Sequence, residues 1–334
     1  MSWAIALVLG LFISLISIST AQLQVGFYQN SCPNAESIVT SVVRQATLSD
    51  PTIPAALLRL HFHDCIVQGC EGSILIRSPA TGNLEKDSPN HAGLRGLEVI
   101  DSAKAQLESQ CPGTVSCADI VALAARDSIT MTQGPQYDVP TGRRDGRVSN
   151  IADANNMPQV REPINVLRSK FAAKGLSEKD LVLLSAAHTI GTTACFFVEN
   201  RLYSFSTNSQ SDPSINPGFL PELQAQCPQN GNVNVRIPLD RGSGNTFDIN
   251  ILRNIRSGFA VIESDAALYQ DDSTRAVVDS YFGLFDDLFG SSFEEDFAAS
   301  MVKMGSIGVR TGSDGEIRRA RFLKKLVKMG FGLD

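Results

Sequence analysis

Residues 55–65 read Ala-Ala-Leu-Leu-Arg-Leu-His-Phe-His-Asp-Cys. An apolar run without a breaker ends in Arg59, His61, His63 and Asp64, and its periodicity predicts a helix. On that helix Arg59 and His63 stand at i and i+4 and share one face. His61, two residues from His63, points to nearly the opposite side, so the two histidines cannot readily clamp one metal. Taken alone, an Arg and a His four residues apart are most simply read as a solvated helix face, and their weight depends on what else the chain carries.

Working outward, the same helical spacing recurs. Ile38, Val42, Val43 and Ala46 mark 34–48, and Leu97, Ile100, Ala103 and Leu107 mark 96–109. Ser116 precedes an apolar run over 118–125. Ser177-Glu178-Lys179-Asp180 forms a box-like helix start ahead of Leu181, Val182, Leu183 and Leu184. Further helices are expected over 273–283 and 292–304, whereas strand-like alternation is scarce. Gly- and Pro-containing loops separate these segments. The fold class expected is all-α with long loops and little β structure.

A second histidine sits in a telling place. Residues 183–191 read Leu-Leu-Ser-Ala-Ala-His-Thr-Ile-Gly, with His188 near the end of an apolar helix behind Ser185, Ala186 and Ala187. Small side chains allow a flat macrocycle to approach, and a neutral imidazole is a good axial ligand to haem iron. A lone His on an apolar helix is more often a satisfied core residue, but this one coexists with the Arg59/His63 pair. A neutral His beside an Arg can take a proton from one peroxide oxygen and return it to the other, while the guanidinium stabilises developing negative charge.

The chain of 334 residues, 43% hydrophobic and 19% charged, can bury a sizeable core. Its net charge of −6 hides an asymmetry, because the last seventeen residues hold six basic side chains and one acid. Without them the balance is strongly acidic, which disfavours nucleic acid as a partner. From Trp3 to Ile18 the sequence is almost continuously apolar, and Ser19, Thr20 and Ala21 follow. This resembles a secretory signal cleaved after Ala21, although the amino terminus is its only positive charge. A membrane anchor is the alternative, at the short end of what a spanning helix needs. Seven dispersed cysteines fit a disulfide framework in a secreted chain. Zinc-type pairs are missing, and the odd number leaves at least one thiol without an intramolecular partner.

Residues 59–73 (RLHFHDCIVQGCEGS) and 184–191 (LSAAHTIG) resemble the two haem-histidine signatures of the secretory, or class III, plant peroxidases. Further matches are Phe27 to Pro33, Cys111 to Asp119, Thr141 to Asp145, Phe247-Asp248, Glu263 to Asp265 and Gly315 to Arg319. The resemblance runs in order over roughly 22–319. It implies a two-lobed plant haem peroxidase fold with haem b between a distal lobe (about 22–165 plus 285–319) and a proximal lobe (about 166–284). A signal peptide over 1–21 precedes this domain, and an atypical basic tail over 320–334 follows it.

By the same resemblance, His63 is the distal acid–base and Arg59 its partner. Asn90 accepts the His63 N–H, although the loop from Glu85 is one residue short. His188 binds the iron and Asp265 accepts its second N–H, giving the imidazole more anionic character. Pro158 marks the aromatic-donor site. Two calcium ions are implied, the first held by Asp64, the carbonyls of Val67 and Gly69, Glu71 and Ser73. The second is held by Thr189, Asp240, Ser243, the Thr246 carbonyl and Asp248. The implied disulfides are Cys32–Cys111, Cys65–Cys70 and Cys195–Cys227, leaving Cys117 free.

Three departures from the family pattern stand out. Glu71 replaces the usual Asp, Ile66 stands where a Phe is usual, and Arg321 occupies the place of the cysteine that pairs with the Cys117 position. Beyond Arg319 the chain no longer resembles the family. The function implied is a secreted, monomeric haem peroxidase that reduces hydrogen peroxide and oxidises small phenolic donors by one-electron steps, with the vacuole as the alternative destination. A non-catalytic or poorly maturing apoplastic protein on the same scaffold is the competing class. The presence of Arg59 and His63 argues against it. An intracellular ascorbate-type peroxidase is disfavoured by the leader and the cysteines.

Overall fold

The computed structural model describes residues 22–77, 83–283 and 292–320. The leader expected over 1–21, and Arg321 with the rest of the basic tail, lie outside the described residues. The first half of the domain is built on four helices: α1 (Ala35–Ser49), α2 (Ile53–Val67), α3 (Leu97–Gln110) and α4 (Cys117–Met131). Helix α2 carries the 55–65 stretch and packs most extensively on α4. It is buried on nearly all sides, with Leu57, Leu60 and Cys65 almost fully enclosed, so it is a central core helix. That removes the solvated-face reading of Arg59 and His63.

The second half comprises α5 (Ile164–Ala173), α6 (Glu178–Ser185), α7 (Glu199–Tyr203), α8 (Leu220–Gln226), α9 (Asn250–Arg256), α10 (Glu263–Gln270), α11 (Asp272–Asp279) and α12 (Phe293–Met304). Among the described residues the only sheet pairs β1 (Thr192–Ala194) antiparallel with β2 (Arg236–Pro238). The chain is therefore mainly helical, as the periodicity predicts.

Several helix starts follow the local rules. Ser116 accepts a hydrogen bond from the Asp119 amide at the start of α4. Ser177 and Asp180 form a reciprocal capping box on α6, and Ser292 with Glu295 does the same on α12. Each such cap contributes about 1 kcal/mol. Helix α11 stops at Asp279, short of the 283 that the periodicity predicts. Beyond it the chain tightens into three-residue turns, with the Tyr281 amide on the Val278 carbonyl and the Phe282 amide on the Asp279 carbonyl, while the Tyr281 hydroxyl donates to Asp296 at 2.8 Å and its ring meets Phe293 edge-on.

Disulfides join Cys32 to Cys111, Cys65 to Cys70, and Cys195 to Cys227, while Cys117 is free and buried. Buried arginines provide the long-range ties. Arg143 pairs with Asp119 at 2.8 Å and donates to the Gly305 carbonyl. Arg318, also fully buried, donates its backbone N–H to Asp145 and its guanidinium to the Gly72 and Gly146 carbonyls. Residues 305–320 are thus bound into the first half. Helix α12 packs on α6, where Ser300 and Lys303 both reach Asp180.

Candidate functional site

Two segments bring the histidines to the middle of the molecule. His63 lies on the last turns of α2. His188 lies on a short 3₁₀ turn (Ala186–Thr189) that follows α6. Three residues later Gly191, at φ +103°, lies against the start of α2. A Cβ there would come within 2.8 Å of the Ala55 Cβ, so only glycine permits both that backbone conformation and that approach.

His188 Nδ1 lies 3.0 and 3.1 Å from the two carboxylate oxygens of Asp265, the third residue of α10. Asp265 is fully buried, whereas the His188 side chain keeps 37% of its surface open. Burial pulls the imidazole pKa down, but the Asp265 charge and hydrogen bond outweigh it, and the net direction is up. The bond places a proton on Nδ1 and leaves the Nε2 lone pair for a ligand.

His63 is buried and its pKa is pushed well below the usual imidazole value, first by burial and then by the charge of Arg59. It is therefore a neutral base. Burial also lowers Arg59, to about 10, which leaves it charged at neutral pH. Arg59 donates to the Ala92 carbonyl at 3.2 Å, and its charge acts on His188 as well as on His63. His61 is also buried, but on the other side of α2, with Nδ1 3.6 Å from the Cys65 sulfur.

The residue against His63 is not Asn90. The two Nδ1 atoms of His63 and His91 are 2.7 Å apart. Asn90 instead donates from Nδ2 to the Ala154 carbonyl at 2.8 Å. It thereby ties its own 3₁₀ turn (Pro89–His91) to the turn over Ile151–Asn156, which leads into the half-buried Pro158. The structure thus corrects the expected neighbour by one residue. The signal was the loop from Glu85, one residue short for Asn90 to reach His63, which leaves the next residue, His91, in that place.

Beside α2 lies a cluster of buried oxygens. Asp64 Oδ1, Glu71 Oε1, Ser73 Oγ and both Glu85 carboxylate oxygens have no hydrogen-bond partner. Burial holds the Asp64 carboxyl well above its usual range, and neighbouring Glu85 and Glu71 raise it further. Burial pushes Glu85 up to about 7. Bare, buried, acidic oxygens are the chemistry a hard cation compensates. Glu71 keeps its other oxygen on Arg310. Its extra methylene fits because residue 146 is glycine, where a Cβ would come within 2.5 Å of Glu71 Cδ. Two of the expected oxygens are engaged elsewhere. The Val67 carbonyl accepts from Lys174 Nζ at 2.6 Å, and the Gly69 carbonyl accepts from the Glu71 amide at 2.7 Å.

The second expected set does converge. Thr189 Oγ1 lies 3.2 Å from Asp240 Oδ2, 3.3 Å from the Thr246 carbonyl and 3.0 Å from the Asp248 carbonyl. Ser243 Oγ reaches Asp240 at 3.1 Å and Asp248 at 3.2 Å. Among the described residues no three His, Cys, Asp or Glu side chains form a metal cluster by themselves. Both oxygen sets mix carboxylates with hydroxyls or carbonyls, which suits calcium and not a transition metal.

Sequence comparison agrees with this geometry. A family profile described as "Peroxidase" matches residues 39–283. The chain is similar to Peroxidase 43 of Arabidopsis thaliana, at 60% identity covering 96% of this chain and 98% of that protein. It is also similar to Peroxidase 13 of the same plant, at 54% identity covering 95% and 97%. Peroxidase N1 of Nicotiana tabacum is 49% identical, covering 89% and 88%.

Proposed function

The chain belongs to the secretory plant peroxidases and is a haem peroxidase, and on that premise we propose which of its residues carry the reaction and on what donors. Haem b would be held through His188 Nε2, and when bound it supplies the redox centre that passes electrons to peroxide. The observation that carries this assignment is the 3.0 Å contact between His188 Nδ1 and the buried Asp265, because it fixes the tautomer a metal ligand requires.

The remaining chemistry belongs to side chains. His63 Nε2 takes the proton from the near peroxide oxygen and delivers it to the departing one. Arg59 stabilises the negative charge that builds up as the O–O bond breaks. Over a full cycle peroxide takes up two electrons and two protons and leaves as two waters. Two phenolic donors each give up one electron and one proton. Pro158 borders the donor site in this reading, and the turn over Ile151–Asn156 that Asn90 anchors sets its position.

Two calcium ions complete the assignment. The distal ion would take Asp64, Glu71 and Ser73, supported by their partnerless buried oxygens. Gly69 and Val67 would contribute only by sharing carbonyls that already accept hydrogen bonds. The proximal ion would take Thr189, Asp240, Ser243, Thr246 and Asp248. Each set begins one residue after a site histidine, so the ions would brace both segments. Secretion to the cell wall is supported by the leader over 1–21. Among the described residues no helix is long and apolar enough to cross a membrane.

The test is spectroscopic. The purified protein should show a haem absorption band that shifts with peroxide and returns on adding a phenol. His188→Ala should fail to retain haem. His63→Ala should retain it but react with peroxide slower by about 10²–10⁴-fold. A His63→Ala protein that reacts at the wild-type rate overturns the assignment.

A further inference from the structure

We propose that Arg310 is a positioning residue for the distal cation site, and that the segment 305–318 is a clasp over that site whose closure is coupled to cation binding. This rests on the calcium reading of Asp64, Glu71 and Ser73 and deepens it.

Two observations meet at Glu71. Its carboxylate is buried, with Oε2 paired to Arg310 Nε, whereas Oε1 has no hydrogen-bond partner. One oxygen is engaged and the other is left over, like Asp64 Oδ1 and Ser73 Oγ. The second Asp64 oxygen accepts from the Gly72 amide at 3.1 Å, so the loop that carries Glu71 and Ser73 is hung on Asp64. Arg310 is itself held from its far side, with Nη1 3.1 Å from both Asp314 oxygens. A glutamate has one more rotatable bond than an aspartate, and ordering a free one around a cation costs conformational entropy. Arg310 removes that cost in advance by fixing the carboxylate. Repulsion between the guanidinium and a bound cation opposes this. It is the weaker effect, because the Arg310 side chain is 35% exposed and screened by solvent, whereas the Glu71 side chain is only 2% exposed.

Arg310 lies on a segment that grips the same loop along its length. The Cys70 amide donates to the Ile307 carbonyl at 2.9 Å. Gly69 and Gly308 lie so close that a Cβ on Gly69 would come within 2.7 Å of the Gly308 Cα. Further on, the Arg318 guanidinium donates to the Gly72 carbonyl. The segment is held in turn by the Arg144 amide on the Arg310 carbonyl, and by reciprocal backbone bonds between Asp145 and Glu316. Residues 307–318 are therefore one wall of the distal site. Opening that wall takes Arg310 away from Glu71. By linkage, the factor by which closure strengthens cation binding is the factor by which the cation favours closure.

The test is calcium binding by the haem-loaded protein, titrated against a competing chromophoric chelator. Arg310→Met should weaken one of two sites by about 10–100-fold, the usual scale for loss of an outer partner, and leave the other unchanged. Glu71→Asp withdraws the carboxylate from Arg310 by the length of one C–C bond, so in that background Arg310→Met should have little further effect. Hydrogen exchange of the unaltered protein should show the amides of Cys70, Asp145 and Glu316 losing protection together as calcium is removed, ahead of those in α3. An unchanged or tighter site in Arg310→Met overturns the proposal. So does an equal loss in the Glu71→Asp background, which would make Arg310 a merely structural residue. Exchange at Cys70, Asp145 and Glu316 no more sensitive to calcium than in α3 overturns the clasp. If Arg310→Met does not fold, the exchange measurement still decides. An unaltered protein that binds calcium at fewer than two sites would instead defeat the underlying calcium reading.

Discussion

Asp265 lies 3.0 Å from His188 Nδ1, across 77 residues of sequence, and it is buried where His188 is partly open. The carboxylate therefore controls a ring whose other nitrogen faces the site. Replacing it removes the anchor without touching the ligand atom. Asp265→Ala should weaken haem retention by about 10–100-fold, measured by titrating haem into the purified protein. Asp265→Glu should recover part of that loss. Equal retention by Asp265→Ala and wild type would show that the pairing is merely structural.

Calcium should matter to stability as well as to rate. Chelation should lower the melting temperature and the peroxidase activity together, because the bare oxygens of Asp64, Glu71 and Ser73 are left buried and uncompensated. Gly146→Ala should act in the same direction. Its Cβ would collide with Glu71 Cδ, and overpacking of this kind costs about 1–3 kcal/mol. Metal analysis of the folded, active protein that finds no calcium would refute the assignment of both sites.

Acid should destabilise the fold through its buried histidines. Burial, aided by the Arg143 charge, lowers His61 to about 3, and burial with Arg59 lowers His91 to about 4. Both folded values lie below the ordinary value near 6.5, so on acidification the unfolded chain binds protons first. Their contribution is complete above about pH 6.5 and declines as pH falls toward 4, by about 1.4 kcal/mol per pH unit for each ring. Denaturant unfolding at pH 7, 6 and 5 measures the slope. His61→Gln, which cannot titrate, should flatten it, and an unchanged slope would rule out His61 as a contributor.

Cys117 should behave as a silent thiol. It is buried at the first turn of α4, beside Asp145 and Arg318, and burial pushes its pKa up to about 12. A thiol reagent should find no reactive cysteine in the native protein and one after denaturation. Rapid labelling of the native protein would contradict the burial.

Much of the architecture was legible because it is written at short range. The helical period over 55–65 and 96–109, the Ser116 cap and the Ser177–Asp180 box each involve residues within a turn or two of one another, and the structure has all of them. The pairing of His188 with Asp265 came from family resemblance, since no spacing rule links positions so far apart. Where a local pattern met a distant partner, the partner won. The α-helical period over 273–283 ends at Asp279 and gives way to three-residue turns, where the Tyr281 hydroxyl reaches Asp296. The Val67 carbonyl accepts from Lys174, 107 residues away.

By itself the sequence determined that this chain is helical, that Arg59 and His63 share a face, and that His188 stands behind small residues. Only the tertiary structure decided which residue meets His63. The loop after Glu85 is held by Ser149 Oγ on the Glu85 amide, by the Asn83 carbonyl accepting from Ile151, and by the Ala154 carbonyl accepting from Asn90. Those bonds spend Asn90 on a neighbouring turn and bring His91 to His63. A one-residue shift in a loop costs little locally, so its register is set by the long-range bonds it can satisfy, and those exist only once the chain has folded.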